Sequence, residues 1–574
     1  MQSPGFSSAD AALERAVRQP ILFAELPHRA ELLRLTTESH GRSATLYVHR
    51  NHAFEHVATA LEPFANFANL RVSVRCSDYD DSLAMTGDAA GADVELFWLD
   101  YSRYGNTLSG AGLAEWVASR IAARRADTDR PLLIAGAPAD SHGEEELNEA
   151  LGERLTAIPG AYFCDLRPIG RQLGSKLYDS RAARLSGTPF SDAACVLSAR
   201  LLGLRWLPAV LNGPLKAMVL DLDNTLYAGV LGEDGPSGVE LTPEHHTLQS
   251  ALASLGSKGV LLAVASRNEP ADVDALFEQR PDFPLAREAF SAAEISWGSK
   301  SAAIRRVADK FRIGADAILF VDDNPGELAA VAGELPEIAT LHAGPDVALT
   351  ARALALFPGL WRWSLSTADQ VRAADLAAAS ERDRIAEDAS DPVSYLASIQ
   401  PRLTYAVNAT RHVARLQELS AKTNQFNLNL SRLTEAEVAR RVESPDSAAV
   451  AVALADRLTE SGVIAALFGQ LADETLMIDE LCVSCRALGR RLEDILIGEA
   501  IARMVSRTHA SEIAFRYTRG PRNGPALRWL EQFSGQQLHG DAGVVRLPWS
   551  GETHAARVAA LPVTIESEGT DGNG

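Results

Sequence analysis

Asp221, Asp223 and Thr225 close the run "KAMVLDLDNTLYAGVLGEDG" (216–235), in which Ala217, Met218, Val219 and Leu220 lead straight into the two acids. The pattern reads as a buried strand with carboxylates at its carboxyl end, and such an end needs a compensating cation. Further on, Ser266 lies in "AVASRNEP", Lys300 in "WGSKSAAI", and Asp322 and Asp323 end "ILFVDD". Separated acid groups can share a divalent cation, and hard oxygen ligands favour Mg2+, which keeps waters and a substrate phosphate. A carboxylate beside that ion can attack phosphorus to give an aspartyl phosphate. A second carboxyl two residues along points to the same side and can protonate the leaving oxygen, then activate water. Ser266 and Lys300 would donate to the phosphoryl oxygens. Taken one at a time, these residues also read as an Asx-type turn, a helix N-cap serine and a helix-start lysine.

The four motifs "DLDNT", Ser266, Lys300 and "DDNP", in that order, resemble those of the haloacid dehalogenase-like superfamily of phosphotransferases. The resemblance implies a doubly wound, Rossmann-like α/β core. It makes Asp221 the nucleophile and Asp223 the acid/base, with Asp221 and Asp322 as side-chain Mg2+ ligands, the Asp223 carbonyl as a further ligand and Asp323 in support. Thr225, Ser266, Arg267 and Lys300 become the phosphate-binding residues; Tyr227 and Arg267 stand where the family more often has tryptophan and lysine. Spacings of about 45 and about 34 residues between successive motifs leave no room for a large inserted cap, so a substrate held on another protein could enter.

A second constellation follows in "SAKTNQFNLNLSRLT" (420–434) and "LCVSCRALGRRLEDILIGEAI" (481–501). The latter joins a strand to a helix through Cys485, Arg486, Gly489, Arg490 and Arg491, and helix-start amides beside arginines suit the phosphate of a coenzyme A or phosphopantetheine arm. Its order of elements resembles a GNAT-type acyltransferase. Cys485 is the candidate acyl acceptor, since an arginine-rich setting favours thiolate; a cysteine packed between strand and helix is the alternative. Asn424, Gln425 and Asn427 are candidate donors to substrate or pantetheine amides, or else capping residues after a helix. Cys482 reads as core, His412 as a packing histidine, and Arg516, Arg519 and Arg522 as a basic loop able to meet an acidic carrier protein.

Together "DLDNTLYAGVLGEDG", "KTNQFNLN" and "SCRALGRRLED" resemble the FkbH-like family, haloacid dehalogenase subfamily IIIC, over roughly 215–565. The resemblance implies dephosphorylation of 1,3-bisphosphoglycerate and transfer of its glyceryl group to a phosphopantetheinylated acyl carrier protein for polyketide-type biosynthesis. A small-molecule phosphatase without acyl transfer and a noncatalytic carrier-binding scaffold are the alternatives. Long members of the family carry an SGNH-hydrolase-like domain ahead of this region. Here "ATLYV" is followed by "HRNHAFEH" where a serine would be wanted, and no histidine follows Asp179 at the domain's end, so a noncatalytic module is expected. His49, His52 and His56 fit surface loop and helix positions better than a metal site.

These residues need elements to hold them. Runs "ATLYV", "VELFWL", "PLLIAGA" and "AYFCDL" alternate with helical patterns, as do "AMVLDLD", "VLLAVAS" and "AILFVDD", which predicts two parallel α/β domains. "RLTYAV", "AAVAVALAD", "VIAALFGQ" and "TLMIDELCV" predict a later α+β domain closed by a helix from about Arg490. The expected division is an SGNH-like domain over 1–205, a haloacid dehalogenase-like domain over 206–370, a solvated helical linker over 371–395, a GNAT-like domain over 396–565 and a disordered tail over 566–574. A formal net charge of -20 argues against nucleic-acid binding, five scattered cysteines fit a reducing cytoplasm, and no apolar run is long enough to span a membrane.

Overall fold

The computed structural model describes residues 8–35, 41–104, 108–138, 142–364, 369 and 371–568. The chain divides into two compact units, Met1–Ser364 and Leu365–Gly574.

The first unit carries two five-stranded parallel sheets. One is built from β1 (Arg42–Arg50), β2 (Leu70–Tyr79), β3 (Val94–Trp98), β4 (Leu132–Ala135) and β5 (Ala161–Cys164), in the order β2-β1-β3-β4-β5. The other contains β6 (Ala217–Leu220), β7 (Leu261–Ser266), β8 (Phe290–Ile295), β9 (Ile318–Asp322) and β10 (Ala339–His342), in the order β10-β9-β6-β7-β8. Numbered within that sheet, the order is the 3-2-1-4-5 of a doubly wound fold, and the strand order reverses between β6 and β9. Strands β6, β7 and β9 are buried along their whole length, which is why their sequences are continuous apolar runs rather than alternating ones. The helices that follow are started by local chemistry. Thr242, Ser299 and Asn324 cap with their side chains, and Pro243, Pro270 and Pro325 occupy first-turn positions.

The expected boundary at 205 falls inside a continuous helical segment, Asp192–Leu211. That segment is long and apolar enough to cross a membrane by length and composition, and 78% of its most apolar window is buried within the protein. The first helix, Ser8–Leu22, also joins the second sheet: the Gln19 amide donates to the His342 carbonyl and accepts from its N–H, both at 2.9 Å.

The second unit is a mixed seven-stranded sheet, in the order β16-β15-β14-β13-β12-β11-β17. Its strands are β11 (Arg402–Val407), β12 (Ser447–Ala455), β13 (Glu460–Ala472), β14 (Thr475–Val483), β15 (Glu512–Thr518), β16 (Ala542–Pro548) and β17 (Thr564–Ser567). Pairing is antiparallel except for β14 with β15 and β11 with β17. The helix Glu493–Thr508 buries Ile495, Leu496, Ala500, Ile501 and Met504 in this unit's core, the face its helical spacing predicts.

Two expectations are corrected. The stretch read as a solvated helical linker holds the helix Arg372–Asp388, but Asp375 and Arg382 on it are buried. There Arg382 pairs with Asp375 and Asp456. These two charges face inward because Asp456, Ser461 and Arg490, from between β12 and β13, from β13 and from the loop after β14, meet them. The tail begins later than expected, since Glu566 and Ser567 lie in β17 and Glu568 binds Arg411 and His412. Residues 569–574 lie outside the described residues.

Candidate active site

The reversal between β6 and β9 gathers the acids. Asp221 follows β6, Asp322 ends β9, and Asp323 comes next; each offers a carboxylate oxygen within 4.8 Å of the others. Into this group the helix Lys300–Phe311 delivers its first residue. Lys300 Nζ lies 2.5 Å from Asp322 Oδ2 and 3.0 Å from Asp221 Oδ1, and all three side chains are buried. Ser299 caps that helix, which fixes where the lysine starts.

One ammonium faces three carboxyls here. Burial, opposed by Lys300 and reinforced by Asp322, pushes Asp221 up to about 6. Burial also raises Asp322 and, together with Asp221, Asp323. Lys300 moves up as well: burial lowers it, but Asp221 and Asp322 outweigh that. Burial is the largest cause of the three carboxyl shifts, the neighbouring carboxylates add to it, and the same carboxylates hold Lys300 charged. A set of hard oxygen donors short of positive charge fits Mg2+.

Two buried hydroxyls come from the loop after β6 and from the end of the adjacent β7. Thr225 is buried and its Oγ1 has no hydrogen-bond partner, an orphan that a phosphoryl oxygen or bound water would satisfy. Ser266, at the end of β7, is buried with its Oγ 3.0 Å from Asn268 Nδ2. Arg267, the next residue, is exposed and paired with Glu327 at 2.9 Å.

The Asp223 side chain stands outside the three-carboxylate cluster, and its expected part in holding the metal is through its carbonyl. Tyr227 Oη donates to its Oδ1 at 2.7 Å, the Leu231 N–H to the same oxygen at 3.0 Å, and Asn268 Nδ2 to its Oδ2 at 2.9 Å. The loop after β6 turns back to make these contacts. Asn224 takes a positive φ of 52°, and its side chain accepts from the Gly229 N–H. The role of Asn268 was missed from sequence; its only signal was a position two residues beyond Ser266.

In the second unit the expected binding residues separate. β14 and β15 pair only over Thr475–Ile478 with Glu512–Phe515, then diverge. The segment Phe426–Leu428 fills the fork. The Val483 N–H donates to the Phe426 carbonyl, the Leu428 N–H to the Leu481 carbonyl, and the Thr518 N–H to the Leu428 carbonyl. Asn427 is buried, donates to Glu480 at 2.9 Å and accepts from the Asn429 and Leu430 N–H groups, so it is a structural residue and not a substrate donor. Asn424 accepts from Arg432, and Gln425 is half-buried.

Arg490 is also corrected. It is 2% exposed and spends its guanidinium on Asp375 at 3.0 Å, Asp456 at 2.8 Å and Ser461 at 2.7 Å. Cys485, Arg486 and Gly489 lie in turns ahead of the helix, which starts at Glu493, so they do not sit on its first amides. Cys485 is half-buried and free, and burial pushes the neighbouring Arg486 down to about 10. Arg491 is exposed with a positive φ of 57°, its guanidinium 5.9 Å from the centre of the Tyr395 ring. Cys482 is in the core, as its strand position predicts.

Of the three histidines at and after the end of β1, His49 and His52 are corrected and His56 lies on a helix surface as expected. His49 is buried 2.7 Å from Glu95, which Arg124 also pairs. His52 is buried against Trp98 and Phe190, with neither ring nitrogen hydrogen-bonded. His56 is exposed on the helix Glu55–Phe67.

No protein-family model and no curated protein matches the chain. Among solved structures it is similar to the N-terminal part of a Bacteroides fragilis protein containing a phosphatase domain complexed with Mg, at 20% identity over 59% of this chain and 100% of that one, TM-score 0.49. It is also similar to a mutant of the spermidine N-acetyltransferase SpeG from Vibrio cholerae, at 12% identity over 27% of this chain and 98% of that one, TM-score 0.21. A GNAT-family acetyltransferase from Streptococcus pneumoniae gives 12% identity over 26% and 99%, with a TM-score of 0.19.

Proposed function

We propose that the first unit is a Mg2+-dependent phosphatase working through an aspartyl phosphate. The observation that carries this is the cluster of Asp221, Asp322, Asp323 and Lys300 at the reversal of a doubly wound sheet, with the buried, orphan Thr225 hydroxyl four residues after Asp221. Mg2+ held by Asp221, Asp322 and Asp323 would neutralise phosphoryl charge and orient the phosphate. A carboxylate oxygen of Asp221 attacks phosphorus, and the bond to the leaving oxygen breaks as Asp223 gives that oxygen a proton. Water then attacks the phosphoaspartate, Asp223 takes its proton, and orthophosphate departs. Lys300, Ser266 and Thr225 bind the phosphoryl oxygens, where charge stabilisation does most of the catalysis.

The finer reading is that the substrate is 1,3-bisphosphoglycerate or a related acyl phosphate. Its glyceryl group passes to a phosphopantetheinylated acyl carrier protein, in a cytoplasmic, polyketide-type biosynthesis. An acyl phosphate is an activated donor: a thiolate attacks its carbonyl carbon, the carbon–oxygen bond breaks, and orthophosphate leaves without ATP. The phosphate ester at the other end goes to the aspartate site. Support for the thiol step is the free, half-buried Cys485 in a loop that also carries Arg486 and Arg491. A simpler phosphatase without acyl transfer is favoured by the internal use of Asn427 and Arg490.

The test incubates the protein with Mg2+, 1,3-bisphosphoglycerate generated in situ and a panel of phosphopantetheinylated carrier proteins, followed by intact masses of both. A glyceryl adduct on enzyme and carrier, with the enzyme adduct lost in Cys485→Ala and dephosphorylation lost in Asp221→Asn, is the result expected of the coupled reaction. Free phosphate without either adduct selects the simple phosphatase, and no phosphate release rejects both.

A further inference from the structure

Both oxygens of the Asp223 carboxylate are claimed, by donors from three directions, and one donor has a second engagement. Asn268 Nδ2 lies 2.9 Å from Asp223 Oδ2 and 3.0 Å from Ser266 Oγ. Tyr227 Oη and the Leu231 N–H hold Oδ1. Asn268 is buried at the end of β7, and Tyr227 is fully buried, its ring 5.9 Å from that of Phe283. An exposed carboxylate would rotate freely about its side-chain torsions. This one is pinned on both oxygens, and its side chain stands apart from the three-carboxylate cluster.

From this geometry we infer that Asn268 is the positioning residue of the proton transfer, aiming Asp223 at the leaving oxygen while orienting the Ser266 hydroxyl. Tyr227 is its counterpart on the other carboxylate oxygen. The inference rests on the phosphatase reading and deepens it. Because the Asn268 amide donates to Ser266 Oγ, the serine keeps its own proton for a phosphoryl oxygen. The amide therefore fixes the spacing between the group that holds phosphate, on β7, and the group that protonates the leaving oxygen, after β6. A misaimed acid costs most where the leaving group most needs a proton.

Leaving-group dependence tests this. Asn268→Ala and Tyr227→Phe are compared with wild type on an alkyl phosphate monoester, a poor leaving group, and p-nitrophenyl phosphate, a good one. The comparison uses kcat/KM, which reports steps through departure of the leaving group. Asn268→Ala is expected to lower kcat/KM about 100-fold on the alkyl ester but less than about tenfold on the aryl ester. Tyr227→Phe, which keeps the buried ring, gives the same selectivity with a smaller loss and guards against a folding defect in the first variant. Equal losses on both esters, in both variants, overturn the positioning role while leaving the phosphatase intact. Failure of the wild type to hydrolyse either ester overturns the phosphatase reading and this inference with it.

Discussion

Lys300 Nζ lies 2.5 Å from Asp322 Oδ2, both side chains buried, with Asp221 3.0 Å from the same ammonium. Removing one partner of a buried ion pair strands the other charge. Lys300→Met therefore costs the metal-free protein on the order of 3 kcal/mol, read as a lower melting temperature in chelator. Added Mg2+ recovers more of the melting temperature in the variant than it adds to wild type, because it supplies the missing charge and binds only the folded state. An unchanged melting temperature in chelator would contradict the charge-shortage account.

In the proposed mechanism the two aspartates after β6 divide the reaction, so their variants are expected to fail differently. Asp221→Asn loses hydrolysis of p-nitrophenyl phosphate by more than about 10³-fold and shows no phosphoryl mass on the protein. Asp223→Asn still accepts phosphate from this good leaving group but releases it slowly, so a phosphoenzyme accumulates in a rapid quench. Loss of the adduct in both variants alike would deny Asp223 its separate role.

Arg490 and Asn427 hold the second unit together. Arg490→Met leaves Asp375 and Asp456 with Arg382 alone and is expected to cost about 3–5 kcal/mol. Asn427→Ala removes one of the donors to Glu480, which keeps Ser420 and the Ser431 N–H, and unpairs two backbone N–H groups, at about 1–3 kcal/mol. Chemical denaturation measures both, and neither variant changes the KM for p-nitrophenyl phosphate.

His52 ties stability to pH. Burial, aided by Arg103 and Arg50 against Asp100, holds it down to about 4, below its ordinary 6.5. The unfolded chain therefore binds this proton first as pH falls. Its contribution is complete above pH 6.5 and is lost between there and about pH 4, a difference on the order of 3 kcal/mol. His52→Leu flattens the dependence of melting temperature on pH in that window. A parallel curve for wild type and variant would show that the ring does not stay neutral on folding.

The sequence by itself determined the strand ends that carry the candidate site. Continuous apolar runs ending in Asp221, Ser266 and Asp322 admit little but central parallel strands, and proline and capping residues announce the helices between them. It also determined the buried face of the helix Glu493–Thr508, since helical spacing survives any tertiary arrangement. Tertiary structure alone decided which polar residues are consumed internally. Asp375 and Arg382 read as charges of a solvated connector and Arg490 as a phosphate-binding arginine until distant segments bring their partners together. Asn427 read as a free donor until its segment filled the fork between β14 and β15. His52 looked like a loop histidine until Trp98 and Phe190 closed over it. Periodicity and capping are local and legible in a string of residues. Whether a charge or amide is spent on the fold or kept for a ligand depends on partners far along the chain, and only folding names them.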